Sequence, residues 1–274
     1  GGVTQAITAV LIGGVCVDRH RLDIERPIRH YAPSYPHEVS IRHALAHATD
    51  SRFRYDPAAF VGLTQVVEHQ DCGGLPFRVA AAVEVLNRLG MARSVPGLDL
   101  QRPDSPAALL FDPDTVRRYQ EILRQVATPY KIDRNAPPLR SAYPIYGFDA
   151  SGGLVATARD LHEFEKALDH GVPLSSTTLR NQMWNPAIVN DALGNRITTP
   201  TGLGWFVQNA SGEKLVWTFG HIPDASSALI LKVPSKNLTL IMLSNSGGLA
   251  NTFNFEQGDV TTSPFVKVFL RLFI

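Results

Sequence analysis

The sequence has few cysteines and no excess of charge of either sign. Only two cysteines occur in 274 residues, Cys16 and Cys72, which are too few to serve as the disulfide framework of a domain this size. Lysine and arginine number 26 against 25 aspartates and glutamates, so the formal net charge is +1. No basic run is longer than a few residues, and we therefore expect neither a nucleic-acid surface nor an anionic-membrane surface. A small or neutral ligand is the better expectation.

Long hydrophobic runs are also missing. The longest run, residues 6–17, contains two glycines and is shorter than the roughly 20 residues that a membrane span needs, so no transmembrane helix is predicted. The N-terminus has no basic segment followed by an apolar one, so a secretion signal has been removed or never existed. Internal repeats and low-complexity segments are absent.

What the sequence does contain is enough apolar material for a sizeable core. Hydrophobic residues make up 44% of the chain, which fits one large or two interleaved domains. Spacing near 3.6, with Ser40 and Thr157 as N-caps, predicts helices over residues 4–17, 41–48, 60–68, 78–89, 114–126, 157–170 and 263–274. Alternation with period 2 predicts an antiparallel meander over residues 204–208, 214–219, 227–233 and 238–243. Helices come first and strands last, which favours an α+β fold.

Six segments, in order along the chain, resemble the motifs of one known family. They are residues 22–33 (LDIERPIRHYAP), 41–49 (IRHALAHAT), 89–91 (LGM), 151–161 (SGGLVATARDL), 202–205 (GLGW) and 220–237 (GHIPDASSALILKVPSKN). Over nearly its whole length the chain is similar to the β-lactamase-related serine hydrolases, which include class C β-lactamases, D-Ala-D-Ala carboxypeptidases and esterases. The resemblance implies a serine β-lactamase or penicillin-binding-protein fold, in which an antiparallel sheet is flanked by helices.

The same resemblance implies how the chain is divided. We expect a single domain over residues 1–274, with an all-helical subregion at about 36–138 and an α/β subregion formed by residues 1–35 and 139–274. Family members carry strands ahead of the nucleophile, and the sequence lacks this portion. The sequence is then processed or truncated, or another chain supplies the strands, or a sheet edge is bare and open to pairing.

The family's nucleophile motif is altered in this sequence. In the family a serine opens a helix and a lysine follows three residues later, so that the amine takes the serine's proton. The matching residues are Gly2 and Gln5. Glycine has no oxygen to attack with, and glutamine has no titratable amine. Acylation by the family mechanism is therefore chemically unavailable.

Two further motifs are partly retained. Tyr55 matches the tyrosine of Tyr-x-Asn, but Pro57 cannot supply the amide that orients a substrate. His221 matches the first position of Lys/His-x-Gly and could hold a carboxylate or move a proton, whereas Pro223 replaces the glycine. By family geometry an oxyanion hole would use the backbone N–H groups of residue 2 and Asp224. Taken without the family, Tyr55 is better explained as a packed aromatic and His221 as a structural histidine of a strand, and the resemblance is what makes them candidate site residues.

Neither a metal nor an organic cofactor is expected. His43 and His47 have the spacing of a zinc-binding pair, but the segment lacks a glutamate base and a third ligand. Their likeness to the family motif favours a structural role instead. The family also favours an extracytoplasmic location.

Three functions remain open at this point. The first is a catalytically impaired hydrolase homologue that binds a β-lactam, D-peptide or ester in the inherited pocket. The second is an active acyl-transfer hydrolase whose nucleophilic serine was replaced at Gly2. The third is a scaffold or interaction protein without a pocket ligand. The first is favoured because both Gly2 and Gln5 depart from the motif.

Overall fold

The computed structural model describes residues 2–50, 52–133, 135–144, 147–251 and 253–274. Helices and strands are both present, as the α+β prediction requires. The helices are α1 (Val3–Leu11), α2 (Ile41–Leu45), α3 (Val61–Glu68), α4 (Phe77–Ala81), α5 (Pro113–Leu123), α6 (Ala158–Asp169), α7 (Ser176–Thr178) and α8 (Pro264–Phe273). The strands are β1 (Val95–Pro96), β2 (Tyr130–Asp133), β3 (Ala136–Arg140), β4 (Leu154–Val155), β5 (Ile188–Asn190), β6 (Arg196–Thr198), β7 (Phe206–Ala210), β8 (Glu213–Ile222), β9 (Ser226–Val233) and β10 (Leu238–Ser244).

The largest sheet is the predicted meander. Its antiparallel strands lie in the order β10-β9-β8-β7. Strand β7 pairs only with the first half of β8, up to the pair Phe206 and Trp217. The second half of β8 pairs with β9, where His221 lies opposite Ser227. Beyond Trp217, the edge of β8 on the β7 side therefore has no paired strand among the described residues.

Helix α1 is buried on every side. All its residues are buried, and seven of them, including Ile7 and Leu11, have no exposed surface. The apolar spacing of residues 4–17 predicts this helix, and the structure confirms it, although a π-helical turn over Ile12–Val17 replaces its last part. Such complete burial follows because α1 contacts both the sheet and α4. Its first turn is thereby fixed against the end of β8.

A second apolar cluster covers the other face of the sheet. Trp217 stacks on Phe206 with ring centroids 4.2 Å apart, and Phe255 lies against both Trp217 and Phe219. Helix α8 adds Val266 and Leu270 to the cluster. This packing confirms the predicted place of the C-terminal helix against the sheet.

One disulfide joins Cys16 to Cys72, two residues that are 56 positions apart. It links the π-helical turn after α1 to the 3-10 turn Gln70–Cys72. Two cysteines are too few to form a disulfide framework, but the packing of the buried residues around them brings the two side chains together. No pattern in the sequence predicts this pairing.

Three small sheets were not predicted. They pair β1 with β4, β2 with β3, and β5 with β6. The strands have two to five residues, too short for an alternation of period 2 to be recognisable. The middle of the chain is therefore less uniformly helical than its pattern indicates.

The two predicted N-caps differ in outcome. Thr157 caps α6, since its hydroxyl oxygen accepts a hydrogen bond from the Asp160 N–H at 3.2 Å. Ser40 precedes α2 but makes no capping hydrogen bond, which corrects the prediction. Its hydroxyl instead lies 2.8 Å from Nδ1 of His43.

Within the described ranges no helix is long and apolar enough to cross a membrane. The division into a helical subregion at 36–138 and an α/β subregion stays a prediction.

Candidate functional site

A cavity of about 1580 Å³ opens where α1 begins beside the end of β8. Five of the seven residues singled out from the sequence line it, namely Gly2, Tyr55, Pro57, His221 and Pro223. Residues from the sheet, from α5 and from the segment 147–157 complete the wall. We call this space the main cavity.

Gly2 lies at the N-cap of α1 in very close contact with the sheet. A Cβ atom built on Gly2 would overlap the backbone carbonyl oxygen of Phe219, and it would lie 2.9 Å from the hydroxyl of Tyr55. The carbonyl belongs to β8, whose pairing with β9 holds it in place. A side chain at position 2 therefore requires a backbone shift, and glycine is the residue that this arrangement accommodates.

Gln5 lies one turn further along α1 and is 2% exposed. Its Oε1 is 3.4 Å from the position that a Cβ on Gly2 would take. Its Nε2 is buried without a hydrogen-bond partner among the described residues. Gln5 does not line the main cavity, so its side chain lies behind Gly2 as seen from the cavity.

Tyr55 packs its ring among aromatic neighbours, with His47 at 4.8 Å and Phe219 at 5.0 Å between ring centroids. Burial raises the pKa of Tyr55 well above its usual value, and the negative charge of Glu256 acts in the same direction. Contact with the side chain of Gln5 lowers this pKa but does not offset the burial. The phenol is therefore neutral at physiological pH, so it can donate a hydrogen bond but is a poor base.

His221 begins a row of polar side chains across the sheet. It pairs with Ser227 on β9, and Ser227 pairs with Ser244 on β10. Directly opposite residues point to the same face of a sheet, and all three line the main cavity. Nε2 of His221 is buried without a hydrogen-bond partner among the described residues, so a ligand atom could supply one.

Ser227 and Ser244 differ in the number of hydrogen bonds that their hydroxyls already make within the protein. The Ser227 hydroxyl donates to the Ser246 carbonyl at 2.6 Å and accepts from the Leu249 N–H at 3.0 Å. The Ser244 hydroxyl is 3.0 Å from that of Ser246. Sequence reasoning treated Ser227 as part of a motif and missed Ser244. Side chains along β9 and β10 alternate between the two faces of the sheet. This alternation could have placed Ser227 and Ser244 on the face toward the cavity.

Pro57 and Pro223 line the cavity as apolar wall. Pro57 opens the 3-10 turn Pro57–Phe60, which the carboxylate of Asp56 caps by accepting from the Ala58 N–H at 3.0 Å. Pro223 follows β8 in the tight connection to β9. Neither can donate a hydrogen bond to a ligand.

Asp224 lies outside the lining of the main cavity. Its φ angle is 61°, in the left-handed region, and its carboxylate pairs with Nζ of Lys131 at 3.0 Å. Its carbonyl oxygen accepts a hydrogen bond from the hydroxyl of Ser141. These contacts fix the β8–β9 connection. The oxyanion hole formed by the N–H groups of residues 2 and 224 stays a prediction.

The wall opposite the sheet carries residues that the motifs do not indicate. Arg93, Arg118 and Tyr143 line it. The Arg118 guanidinium lies 5.1 Å from the ring centre of Tyr119, and the Tyr143 hydroxyl donates to the Ala127 carbonyl at 2.9 Å. No local pattern in the sequence singles these residues out, because the fold alone brings them to the cavity.

The histidine pair that resembles a zinc motif serves the fold. Helix α2 ends at Leu45, so His47 is not on it. Nε2 of His43 lies 2.9 Å from the Asn190 carbonyl oxygen, and Nδ1 of His47 accepts from the Asp56 N–H at 3.2 Å. In the part of the chain that the structure describes, no group of three potential ligands could hold a metal ion.

Comparison with known families agrees with the fold and the motif order. The family model for beta-lactamase matches residues 1–257. The chain belongs to the beta-lactamase family. That family shares the expected serine β-lactamase or penicillin-binding-protein fold, which the solved structures also show. A search of curated proteins finds no significant match.

Several solved structures share the family fold. An octameric penicillin-binding protein homologue from Pyrococcus abyssi has 20% identity and a TM-score of 0.68, covering 90% of this chain and 61% of its own. A D-stereospecific amidohydrolase from Streptomyces sp. has 18% identity and a TM-score of 0.65, covering 96% and 83%. A class C beta-lactamase from Rhodobacter sphaeroides has 14% identity and a TM-score of 0.62, covering 98% and 84%. At such identities the likeness concerns the fold, and this chain spans about three fifths of the Pyrococcus homologue.

Proposed function

We propose that this member of the beta-lactamase family binds a small acyl compound in the main cavity without forming an acyl-enzyme. The ligand class is a β-lactam, a D-amino acid amide or peptide, or an ester. In this proposal Tyr55, Pro57, His221 and Pro223 contact the ligand, while Gly2 and Gln5 occupy the places of the nucleophile and its base without their chemistry.

The close approach of β8 to position 2 carries the proposal. Gly2 has no nucleophilic oxygen, and the carbonyl of Phe219 occupies the space of any side chain there. A site that had lost only its serine would leave a gap at this position. Here the strand fills the gap, so the arrangement suits glycine rather than a removed serine.

The groups around Gly2 also lack a base. Gln5 carries an uncharged amide, and the raised pKa of Tyr55 keeps its phenol protonated. General-base catalysis needs a group whose pKa lies near the working pH. His221 carries an imidazole, but no serine at position 2 is there to be activated.

The cavity itself suits a ligand. Its volume of about 1580 Å³ exceeds the roughly 300–1,000 Å³ of most ligand pockets, so a drug-sized molecule or short peptide fits. It combines apolar wall from the prolines with a buried imidazole nitrogen that lacks a partner among the described residues. An open cavity with polar groups favours a ligand-binding role over that of a scaffold. The structural neighbours include a D-stereospecific amidohydrolase, a D-amino acid amidase, a hydrolase with promiscuous acyltransferase activity and a class C beta-lactamase. Their names suggest acyl compounds as the ligands to test.

The test combines intact-protein mass spectrometry with calorimetric titration. The wild-type chain is incubated with a chromogenic β-lactam, D-phenylalanine amide and p-nitrophenyl acetate. We expect no mass increase and no product, together with saturable binding of at least one compound. His221→Leu should weaken that binding, whereas His162→Leu, an exposed change on α6, should leave it unchanged.

Gly2→Ser tests the nucleophile position directly. We expect no acyl adduct from this variant, because the serine lacks both room and a base. An adduct or turnover in the wild type would overturn the non-hydrolysing assignment. Failure of all three compounds to bind would overturn the ligand-binding assignment.

A further inference from the structure

A second cavity, of about 570 Å³, lies at the opposite end of the β8–β9 hairpin. It shares no lining residue with the main cavity. Lys214 near the start of β8 lines it, and His221 near the end of β8 lines the main cavity. Seven residues separate them along the strand, which is roughly 23 Å at 3.3 Å per residue. A ligand here would therefore be independent of one in the main cavity.

The charges that line the second cavity are mainly positive. Arg180, Lys214 and Lys232 face one carboxylate, that of Asp169. Nζ of Lys232 is 2.7 Å from Asp169 and 3.0 Å from the buried carboxylate of Glu165. The one lining carboxylate is thus already paired with a cation.

Arg180 and Lys214 keep their charge uncompensated. The nearest contact of Nζ of Lys214 is the neutral amide oxygen of Asn185, at 3.2 Å. The neighbouring carboxylate of Glu213 pairs with Lys236 instead. Neither Arg180 nor Lys214 forms an ion pair within the ranges that the structure covers. Arg180 and Lys214 therefore lie beside a concave space without an ion-pair partner among the described residues, because the two nearby carboxylates, Asp169 and Glu165, both contact Lys232.

Trp184 adds an unsatisfied donor to the same space. Its indole N–H has no hydrogen-bond partner among the described residues, as is also true of Trp205 and Trp217. Trp184 differs from these two because its side chain, which is 5% exposed, lines the cavity. Buried N–H groups are nearly always hydrogen-bonded in native proteins, and each exception needs an explanation. A ligand oxygen in the cavity would supply the missing acceptor.

We propose that the second cavity binds a phosphate group, either as inorganic phosphate or as a phosphate monoester. Two cations match the charge of about −1.5 to −2 that a phosphate carries at neutral pH, whereas a single carboxylate would neutralise only one of them. The indole of Trp184, the guanidinium of Arg180 and the ammonium of Lys214 are all hydrogen-bond donors, and phosphate oxygens are acceptors. The site lies outside the acyl chemistry of the family and needs no part of the main cavity.

The experiment follows the three tryptophan indole N–H signals of the ¹⁵N-labelled full chain by NMR. The Trp184 signal is assigned with Trp184→Phe, and inorganic phosphate is titrated at constant ionic strength set with sodium chloride. We expect a saturable shift of the Trp184 signal, while those of Trp205 and Trp217, which lie outside the cavity lining, stay in place. Acetate, a monoanion, should produce no saturable shift at the same concentrations.

Matched charge variants distinguish a specific phosphate site from general electrostatic attraction between phosphate and the protein. Arg180→Gln and Lys214→Gln should each weaken phosphate binding at least tenfold, whereas Arg117→Gln, an exposed change on α5 with the same loss of charge, should not. Glycerol phosphate tests the source, since tighter binding than that of phosphate indicates an ester and equal or weaker binding indicates the free ion. The proposal is wrong if the Trp184 signal does not respond, or if all three charge variants weaken binding equally. Unchanged circular dichroism confirms that each variant is folded.

Discussion

At the scale of single residues, position 2 determines whether the site can hold a nucleophilic side chain. Its glycine is required by the carbonyl of Phe219 rather than by a turn, since Gly2 has an ordinary helical φ of −60°. The absence of a side chain at position 2 therefore avoids a clash with β8, and it also removes the nucleophilic oxygen.

Gly2→Ala should lower the free energy of unfolding by about 1–3 kcal/mol, the usual cost of overpacking a close contact. The added Cβ meets backbone of β8, which cannot rotate away as a flexible side chain would. Urea denaturation measures the change. Gly147→Ala is the matched control, because its Cβ would be 3.8 Å from the nearest atom, and it should change stability little. A stable Gly2→Ala variant would mean that β8 yields easily, which would remove the steric argument against a serine.

His47 gives the protein a specific sensitivity to acid. Burial lowers the pKa of His47 from 6.5 to about 3, so between these values the unfolded chain binds a proton that the folded chain does not. Stability from this group is fully present above pH 6.5 and is lost as the pH falls toward 3. The slope in that window is up to about 1.4 kcal/mol per pH unit.

His47→Asn should remove that slope. Asparagine keeps an acceptor for the Asp56 N–H and tolerates the positive φ of 51° at this position. Stability measured by denaturant from pH 7 to pH 4 should fall less steeply in the variant than in the wild type, whatever the offset between them. Parallel curves would show that His47 does not titrate as its burial indicates.

At the scale of elements, α6 depends on its cap. Thr157 satisfies the N–H of Asp160, and the carboxylate of Asp160 in turn accepts from the Ser94 hydroxyl at 2.7 Å and the Arg93 N–H at 2.8 Å. The cap therefore fixes both the start of the helix and a contact with the residues before β1.

Thr157→Ala should destabilise the protein by about 1 kcal/mol, because an N-cap hydrogen bond is lost. Thr157→Ser keeps the hydroxyl and should retain most of the stability. Thermal unfolding of the two variants side by side measures the difference. Equal loss in both would indicate that the methyl group, and not the hydroxyl, stabilises this position.

The elements also show how far the sequence could be interpreted. The strands β7–β10 and the helices α1, α6 and α8 were predicted because each has a run long enough to display its period. The hairpin of β2 and β3 was missed because its residues are exposed and two prolines interrupt it. Ser40 failed as a cap because His43 is a competing partner for its hydroxyl.

Site residues that belong to recognisable sequence motifs could be predicted, and the other site residues could not. Gly2, Tyr55 and His221 come together as the resemblance implies, since each follows a recognisable segment. Arg118 comes from a helix with no motif, so its approach depends on tertiary packing. Asp224 was placed by family geometry, but the ion pair with Lys131 holds its side chain at the β8–β9 connection.

At the scale of the whole molecule, the disulfide ties the buried α1 region to the helical segment around residues 61–72. Both of its residues are buried, Cys16 fully and Cys72 at 4% exposure. It closes a loop that contains two residues of the main cavity lining, Tyr55 and Pro57.

Loss of the disulfide should lower the free energy of unfolding by about 4 kcal/mol, the value expected for closing a loop of 56 residues in the unfolded chain. Denaturant curves with and without a reductant measure it, and Cys16→Ala with Cys72→Ala should reproduce the reduced wild type. Reductant should have no effect on that double variant. An unchanged midpoint for the reduced wild type would contradict the expected stabilisation.

The contact between Gly2 and Phe219 also bears on the engineering of a hydrolase from this chain. A serine at position 2 would meet the carbonyl of β8 before it met a substrate, and a lysine at position 5 would have no serine to activate until that contact was relieved. The strand therefore has to be moved before the two residues are exchanged.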